Sequence, residues 1–276
     1  MSLPQPSTDA GRSALDAFLS ESGQALIAFD FDGTLAPIVA DPRTSAPYPG
    51  IVDRLADLAG LLGTVAVITG RPAETAVRLG GLDRVPGITV LGHYGAERWE
   101  DGRVVATPAP PGVELVRDEL PGLLDGLHAP EGTWIEDKGR SLAVHTRRTA
   151  DPDGALALLT PALSELARRA DLQVEPGRMV VELRPQGVDK GAALTALVAE
   201  TSPNVVLYAG DDLGDLPAFA AVTALREQGV RGLNVCSSSD EVTAVAEAAD
   251  LVVPGPAGLT DLLGALTDAL RGASGV

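Results

Sequence analysis

The sequence predicts an α/β protein in which a parallel β-sheet, covered by helices on both faces, is interrupted by a smaller α+β domain. Three observations lead there. Short, almost wholly apolar runs alternate with Ala/Leu-rich stretches of helical length, the pattern of βαβ units. The 31 glycines and 21 prolines of the 276-residue chain fall between these runs and punctuate them. From about Arg103 to Val181 the pattern changes to strands that alternate apolar and polar residues.

Taken in order, buried strands are predicted at Ala25–Phe29, Thr64–Ile68, Ile88–Leu91, Val205–Ala209, Gly232–Val235 and Leu251–Val253. Each is nearly all apolar, as a strand covered on both faces requires. Helices are predicted at Gly50–Leu62, Pro72–Leu79, Lys190–Glu200, Leu216–Leu225, Asp240–Ala248 and Gly258–Leu270. The interrupting segment reads as helix Val113–Leu124, strands Thr133–Glu136 and Ser141–Arg147, helix Asp153–Ala170, and strands Leu172–Glu175 and Met179–Leu183. Tight links at 137–140 and 176–178 suit an antiparallel sheet with two helices on one face. The predicted organisation is therefore a core from residues 1–102 and 184–276 with an insert over 103–183, joined by a double hinge near Arg98–Arg103 and Arg184–Gly187.

Composition narrows the function. With 21 basic and 38 acidic side chains the net charge is −17, and only 3% of residues are aromatic. Neither cations for phosphates nor stacking surface for bases is in surplus, so no nucleic-acid partner is expected. No apolar run is long enough to span a bilayer, and Met1–Gly11 lacks the basic flank and apolar core of an export signal. The one cysteine, Cys236, follows a buried strand and is expected to pack as a small apolar residue. The expected setting is the cytoplasm, without a membrane partner, and the expected form is a monomer.

Ligands of open parallel sheets bind beyond the carboxyl ends of the strands. There the first strand runs into Asp30-Phe31-Asp32-Gly33-Thr34, the second into Thr69-Gly70-Arg71-Pro72, and the fourth into Gly210-Asp211-Asp212-Leu213-Gly214-Asp215; Lys190 opens the helix leading to the fourth. Five carboxylates converging on one crevice repel unless they share a cation. An all-oxygen donor set suits magnesium, which takes a few carboxylates plus substrate phosphate. The metal is assigned to Asp30, Asp32, Asp211 and Asp215. With a phosphate on that metal, Asp30 becomes an in-line nucleophile and Asp32 a proton donor and later a base. Thr69 offers a hydroxyl to the phosphate and Lys190 supplies positive charge. The chain holds 19 arginines but only two lysines, Lys138 and Lys190, and both fall in segments chosen on other grounds. A compact ammonium is a task the planar guanidinium does not duplicate.

This ordered set resembles the haloacid dehalogenase superfamily of aspartyl-phosphate phosphatases, and the resemblance implies a Rossmann-like core with an inserted α+β cap of type 2. Three further segments resemble trehalose-6-phosphate phosphatases: Gly92-His93-Tyr94-Gly95-Ala96-Glu97, Glu136-Asp137-Lys138 through Ser141 to His145-Thr146-Arg147, and Glu182-Leu183-Arg184-Pro185. The similarity runs from about Gln24 to Leu270. It implies that Glu97, Lys138, Ser141, His145, Arg147 and Glu182 hold the distal glucose or the phosphate, with Gly70, Arg71 and His93 completing the substrate-binding set. His93 is read mainly as shaping the crevice, and His128 as a bystander. Residues 213–218 depart from the family's usual Thr-Asp-Glu-Asp run, although Asp215 keeps its register.

The function implied is magnesium-dependent hydrolysis of trehalose 6-phosphate to trehalose and phosphate, a step of trehalose biosynthesis, through a phosphorylated Asp30. One alternative is a capped phosphatase for another sugar phosphate, of the sucrose phosphate or mannosyl-phosphoglycerate type. Another, from a different class, is a receiver-like phosphoaspartate switch. Against the overall acidity, Arg71, Lys138, Arg140, Arg147, Arg184 and Lys190 are expected to focus a local positive field on the substrate.

Overall fold

The apolar run Ala25–Phe29 forms strand β1 of a large sheet, and its alternate residues feed two separate cores. Ala25, Ile27 and Phe29 pack on one face, while Leu26 and Ala28 pack on the other. The computed structural model describes residues 3–238 and 243–274. Numbered along the chain, β2 (Thr64–Ile68), β3 (Thr89–Gly92), β10 (Val205–Gly210), β11 (Arg231–Ser238) and β12 (Leu251–Pro254) run parallel with β1. A hairpin of β4 (Glu97–Glu100) and β5 (Arg103–Ala106) adds two antiparallel strands, so the order is β12-β11-β10-β1-β2-β3-β4-β5. The first core takes side chains from α1 (Asp9–Ser20), α2 (Ile51–Ala59), α3 (Ala73–Gly80) and α9 (Gly255–Ser274); the second from α6 (Lys190–Thr201), α7 (Leu216–Glu227) and α8 (Thr243–Ala248). Each large apolar side chain so buried contributes roughly 1.5–3 kcal/mol. Cys236 lies fully buried in the second core.

Helix α1 is an addition to the predicted elements. Its Thr8 cap accepts a hydrogen bond from the Gly11 amide, and Ala14, Leu15 and Phe18 turn one stripe inward. A Thr followed by helically spaced apolar residues was the signal available for it. Residues 240–242 of the helix predicted at Asp240–Ala248 lie outside the described residues.

The second unit carries the predicted α-β-β-α-β-β order: α4 (Pro111–Gly126), β6 (Trp134–Asp137), β7 (Leu142–His145), α5 (Pro152–Arg169), β8 (Leu172–Gly177) and β9 (Val180–Pro185). The four strands form an antiparallel sheet in the order β6-β7-β9-β8. One face packs on α4 and α5 through Leu142, Val144, Val181 and Leu183. The chain divides into Met1–Ala106 with Asp189–Val276 and, separately, Thr107–Val188. Arg103, predicted at the start of the insert, instead pairs with Glu100 in the large sheet. Strand β7 also stops short of its predicted end, because Thr146–Ala150 turns. Arg147 therefore sits in that turn, and alternation does not put it on the face of Ser141 and His145. Among the described residues no helix is long and apolar enough to cross a membrane.

Candidate active site

β1 pairs with β10 in a register that aligns Phe29 with Ala209, so Asp30 and Asp211 leave the sheet at the same edge. The Asp30 amide extends the ladder by donating to the Ala209 carbonyl at 2.9 Å. Lys190, the first residue of α6, is 5% exposed and reaches Asp30 Oδ1 at 2.9 Å and Asp215 Oδ1 at 2.7 Å. Asp215 is completely buried and already accepts four hydrogen bonds. Lys190 Nζ and the Tyr208 hydroxyl donate to Oδ1, and the amides of Asp211 and Asp212 donate to Oδ2. Gly210 makes room for this inward fold, since a Cβ there would lie 2.3 Å from Asp215 Cγ. Asp212 turns the other way, capping Gly214 in a capping box with Asp215, and its side chain is 58% exposed. The departure at 213–218 is thus a local cap, with Pro217 in the first turn of α7 where its missing N–H costs nothing.

Asp30, Asp211 and Asp215 each offer an oxygen within 4.8 Å of the others. Burial, reinforced by Asp215 and Asp211, pushes the Asp30 carboxyl well above the ordinary range even though Lys190 opposes it. Burial, then Asp215 and Asp212, push Asp211 up to about 8. Burial disfavours the charged form of Lys190, but Asp215 and Asp30 outweigh it and hold the ammonium well above its usual value. One ammonium cannot neutralise three buried carboxylates, so Asp30 and Asp211 hold on to protons that a cation could replace, and the all-oxygen donor set fits a hard divalent cation. Asp32 is outside the cluster. Its carboxylate lies on Arg71 (Nε–Oδ2 2.6 Å, Nη2–Oδ1 2.7 Å) and accepts from Ser45 Oγ at 3.1 Å. Of the four carboxylates assigned to the metal from the sequence, Asp30, Asp211 and Asp215 come together here and Asp32 stands apart, with the fork of Arg71 on it.

Thr69 is 1% exposed, and its hydroxyl accepts from the Arg71 amide at 3.2 Å. The Thr69–Arg71 turn is braced from the next strand, where the Tyr94 amide donates to Thr69 O at 3.0 Å and the His93 amide to Arg71 O at 2.9 Å. To make both contacts, His93, Tyr94 and Gly95 take φ of +47°, +56° and +91°, a left-handed run whose cost the bracing bonds offset. Tyr94 also lies over Gly70, where a Cβ would meet its hydroxyl at 2.6 Å. Glu97 Oε2 accepts from the Ala73 amide at 2.8 Å, capping α3 where Pro72 provides no side-chain cap, and Oε1 is 3.7 Å from His93 Nε2. Glu97, expected to hold substrate, is here part of that brace, as is His93, expected mainly to shape the crevice.

In the second unit, Glu182 collects Lys138 Nζ at 2.6 Å and Ser141 Oγ at 2.5 Å. His145 Nε2 meets Glu136 Oε2 at 2.8 Å and stacks on Trp134 with ring centroids 4.3 Å apart. Arg148 lies 4.5 Å from the Trp134 centroid. The register opposes Glu136 to Ala143 and Ala143 to Glu182, so both acids stand on the sheet face away from the helices. Sequence reasoning missed Tyr208, Ser45, Trp134 and the pairing of Glu136. Trp134, Glu136 and Lys138 share a period of two, which could have revealed them. Tyr208 hides in an apolar run, and Ser45 has no local signal.

The trehalose-phosphatase family profile matches residues 28–254. A trehalose-phosphate phosphatase of Mycobacterium marinum is 34% identical over 255 residues, covering 88% of this chain. The chain spans 61% of that relative's length. The structure of the C-terminal domain of Candida albicans trehalose-6-phosphate phosphatase superposes with a TM-score of 0.77 at 22% identity, covering 97% of this chain and 99% of that one. A haloacid dehalogenase-like hydrolase from Bacteroides thetaiotaomicron superposes with a TM-score of 0.59 at 18% identity, covering 87% and 98%. These two likenesses show the fold.

Proposed function

Since the chain belongs to the trehalose-phosphatase family, we propose that it hydrolyses trehalose 6-phosphate to trehalose and phosphate with magnesium as cofactor. The observation that carries this reading is the Lys190 ammonium between Asp30 and Asp215, beside Asp211, at the carboxyl ends of β1 and β10. Magnesium would be held by Asp30 and Asp211, with Asp215 behind them, and would supply positive charge to the phosphoryl oxygens.

In the first half-reaction an Asp30 oxygen bonds to phosphorus as the bond from phosphorus to the sugar oxygen breaks. Asp32 gives that oxygen its proton. In the second, Asp32 takes a proton from a water whose oxygen attacks phosphorus, and the acyl-phosphate bond breaks to restore Asp30 and release phosphate. Lys190 and the Thr69 hydroxyl stabilise the transferring group. Lys138, Ser141, His145, Arg147 and Glu182 read the sugar hydroxyls, a mixed set of donors and acceptors suited to a disaccharide. The proposal keeps a monomer acting on a small sugar phosphate in the cytoplasm.

A panel of sugar phosphates, assayed for phosphate release with and without chelator, tests the reading. Trehalose 6-phosphate should be the best substrate, chelator should stop turnover, and Asp30→Asn should abolish it. Unchanged phosphate release by purified Asp30→Asn protein would refute the mechanism.

A further inference from the structure

Asp32 is held apart from the acidic cluster in a cage of its own, and the geometry points to Ser45 and Arg71 as the positioning residues that aim it. This rests on the reading of Asp32 as the acid and base of a phosphatase. The Arg71 guanidinium grips both carboxylate oxygens, through Nε at 2.6 Å and Nη2 at 2.7 Å, a fork-to-fork pair that fixes the plane of the carboxylate. Ser45 Oγ adds a third bond, to Oδ1 at 3.1 Å.

The gripping groups are themselves fixed. Arg71 Nη1 donates to the Pro42 carbonyl at 3.0 Å, its amide donates to Thr69 Oγ1 at 3.2 Å, and its guanidinium lies 5.6 Å from the Phe31 ring centroid. Ser45 is 2% exposed, and its amide closes a turn onto the same Pro42 carbonyl. The Asp32 side chain is 37% exposed, so without these partners it would rotate in solvent. Two turns, Asp41–Ser45 and Thr69–Arg71, thus meet on one carboxylate.

The two partners differ in what they can do. A guanidinium only donates, whereas a hydroxyl donates to a carboxylate and accepts from a carboxylic acid. Ser45 can therefore stay bonded to Oδ1 whether or not that oxygen carries the proton, whereas Arg71 holds whichever oxygen is unprotonated. Arg71, with its fork on Asp32 and its remaining nitrogen on Pro42, aims the acid and does not grip the sugar.

The test uses the magnesium-loaded enzyme, with Ser45→Ala, Ser45→Thr and Arg71→Lys variants. Two substrates are compared: trehalose 6-phosphate, whose alkoxide must be protonated to leave, and p-nitrophenyl phosphate, whose leaving group departs without a proton. Because kcat/KM stops at the first irreversible step, it isolates the acid role from the later base role. Ser45→Ala should lower kcat/KM for trehalose 6-phosphate by about 10-fold with KM changed less than about two-fold, and leave kcat/KM for p-nitrophenyl phosphate within about two-fold. Ser45→Thr should restore most of the loss, and Arg71→Lys, which keeps the charge without the fork, should show the same selectivity. Equal losses on both substrates, or none on either, would overturn the assignment while leaving the phosphatase reading intact. A wild-type enzyme inactive on every phosphate monoester would overturn both.

Discussion

Gly33 decides whether Asp211 can stand beside Asp30. It adopts φ +85°, and a Cβ there would lie 1.9 Å from Asp211 Oδ2. Gly33→Ala adds both left-handed strain and a clash with the carboxylate. Activity should fall by roughly 100-fold or more as the oxyanion-stabilising set is displaced, with a weaker magnesium requirement curve, measured by phosphate release against magnesium concentration. Glu97 and Glu182, one expectation by sequence, separate in the structure. Glu97→Ala removes a helix cap and should cost about 1 kcal/mol of stability, read in urea unfolding. Glu182→Ala removes the acceptor shared by Lys138 and Ser141 and should raise KM for trehalose 6-phosphate more than it lowers kcat. The opposite pattern in the two variants would reverse these assignments.

At the scale of elements, the site depends on the start of α6 and on the 93–95 brace. A lysine in the first turn of α6 opposes the helix dipole, and Asp30 and Asp215 offset that cost. Lys190→Ala should therefore do more than remove a catalytic charge. It leaves buried carboxylates uncompensated, and stability at neutral pH should drop by roughly 3 kcal/mol in metal-free protein, with magnesium restoring part of it in thermal melts. A loss of activity with no change in melting would mean that the lysine has no part in the charge balance. The 93–95 brace was illegible from sequence, because left-handed φ at a His and a Tyr has no compositional mark. It arises only when β3 is set beside the Thr69 turn.

For the molecule as a whole, the buried acids make stability depend on pH and metal together. Asp211 titrates at about 8 in the fold against a reference value of 3.8. Between those values the unfolded chain releases a proton that the folded chain keeps, so this group's contribution is full below 3.8 and is lost as pH rises through about 8. A cation takes the proton's place. The Tm of the metal-free protein should therefore decline from about pH 5 to about pH 8, and magnesium should raise Tm more at the upper pH than at the lower. Equal magnesium shifts at both would remove Asp211 from the site. The positive field expected to offset a charge of −17 is also redrawn. Arg71, Lys138, Arg184 and Lys190 each face a carboxylate within their own unit, so these four cations are paired.

The sequence by itself determined most of the order of the elements, though not α1 or the β4–β5 hairpin that takes the place of the first predicted hinge, together with the strand ends that carry chemistry and the family. Apolar runs, turn residues and the Asp-x-Asp, Thr-Gly-Arg, Lys and Gly-Asp-Asp segments are local signals, and β1 and β2 match their predicted limits. Only the tertiary structure decided the division of labour among the polar side chains. It turned Asp32 toward Arg71 and Ser45, put Asp215 under Lys190 and Tyr208, and made Glu97 a helix cap. A polar group's role is set by which donors reach it, and the donors named here come from residues 7 to 39 positions away. No local pattern records such distances; they exist only once the sheet has brought the strand ends together.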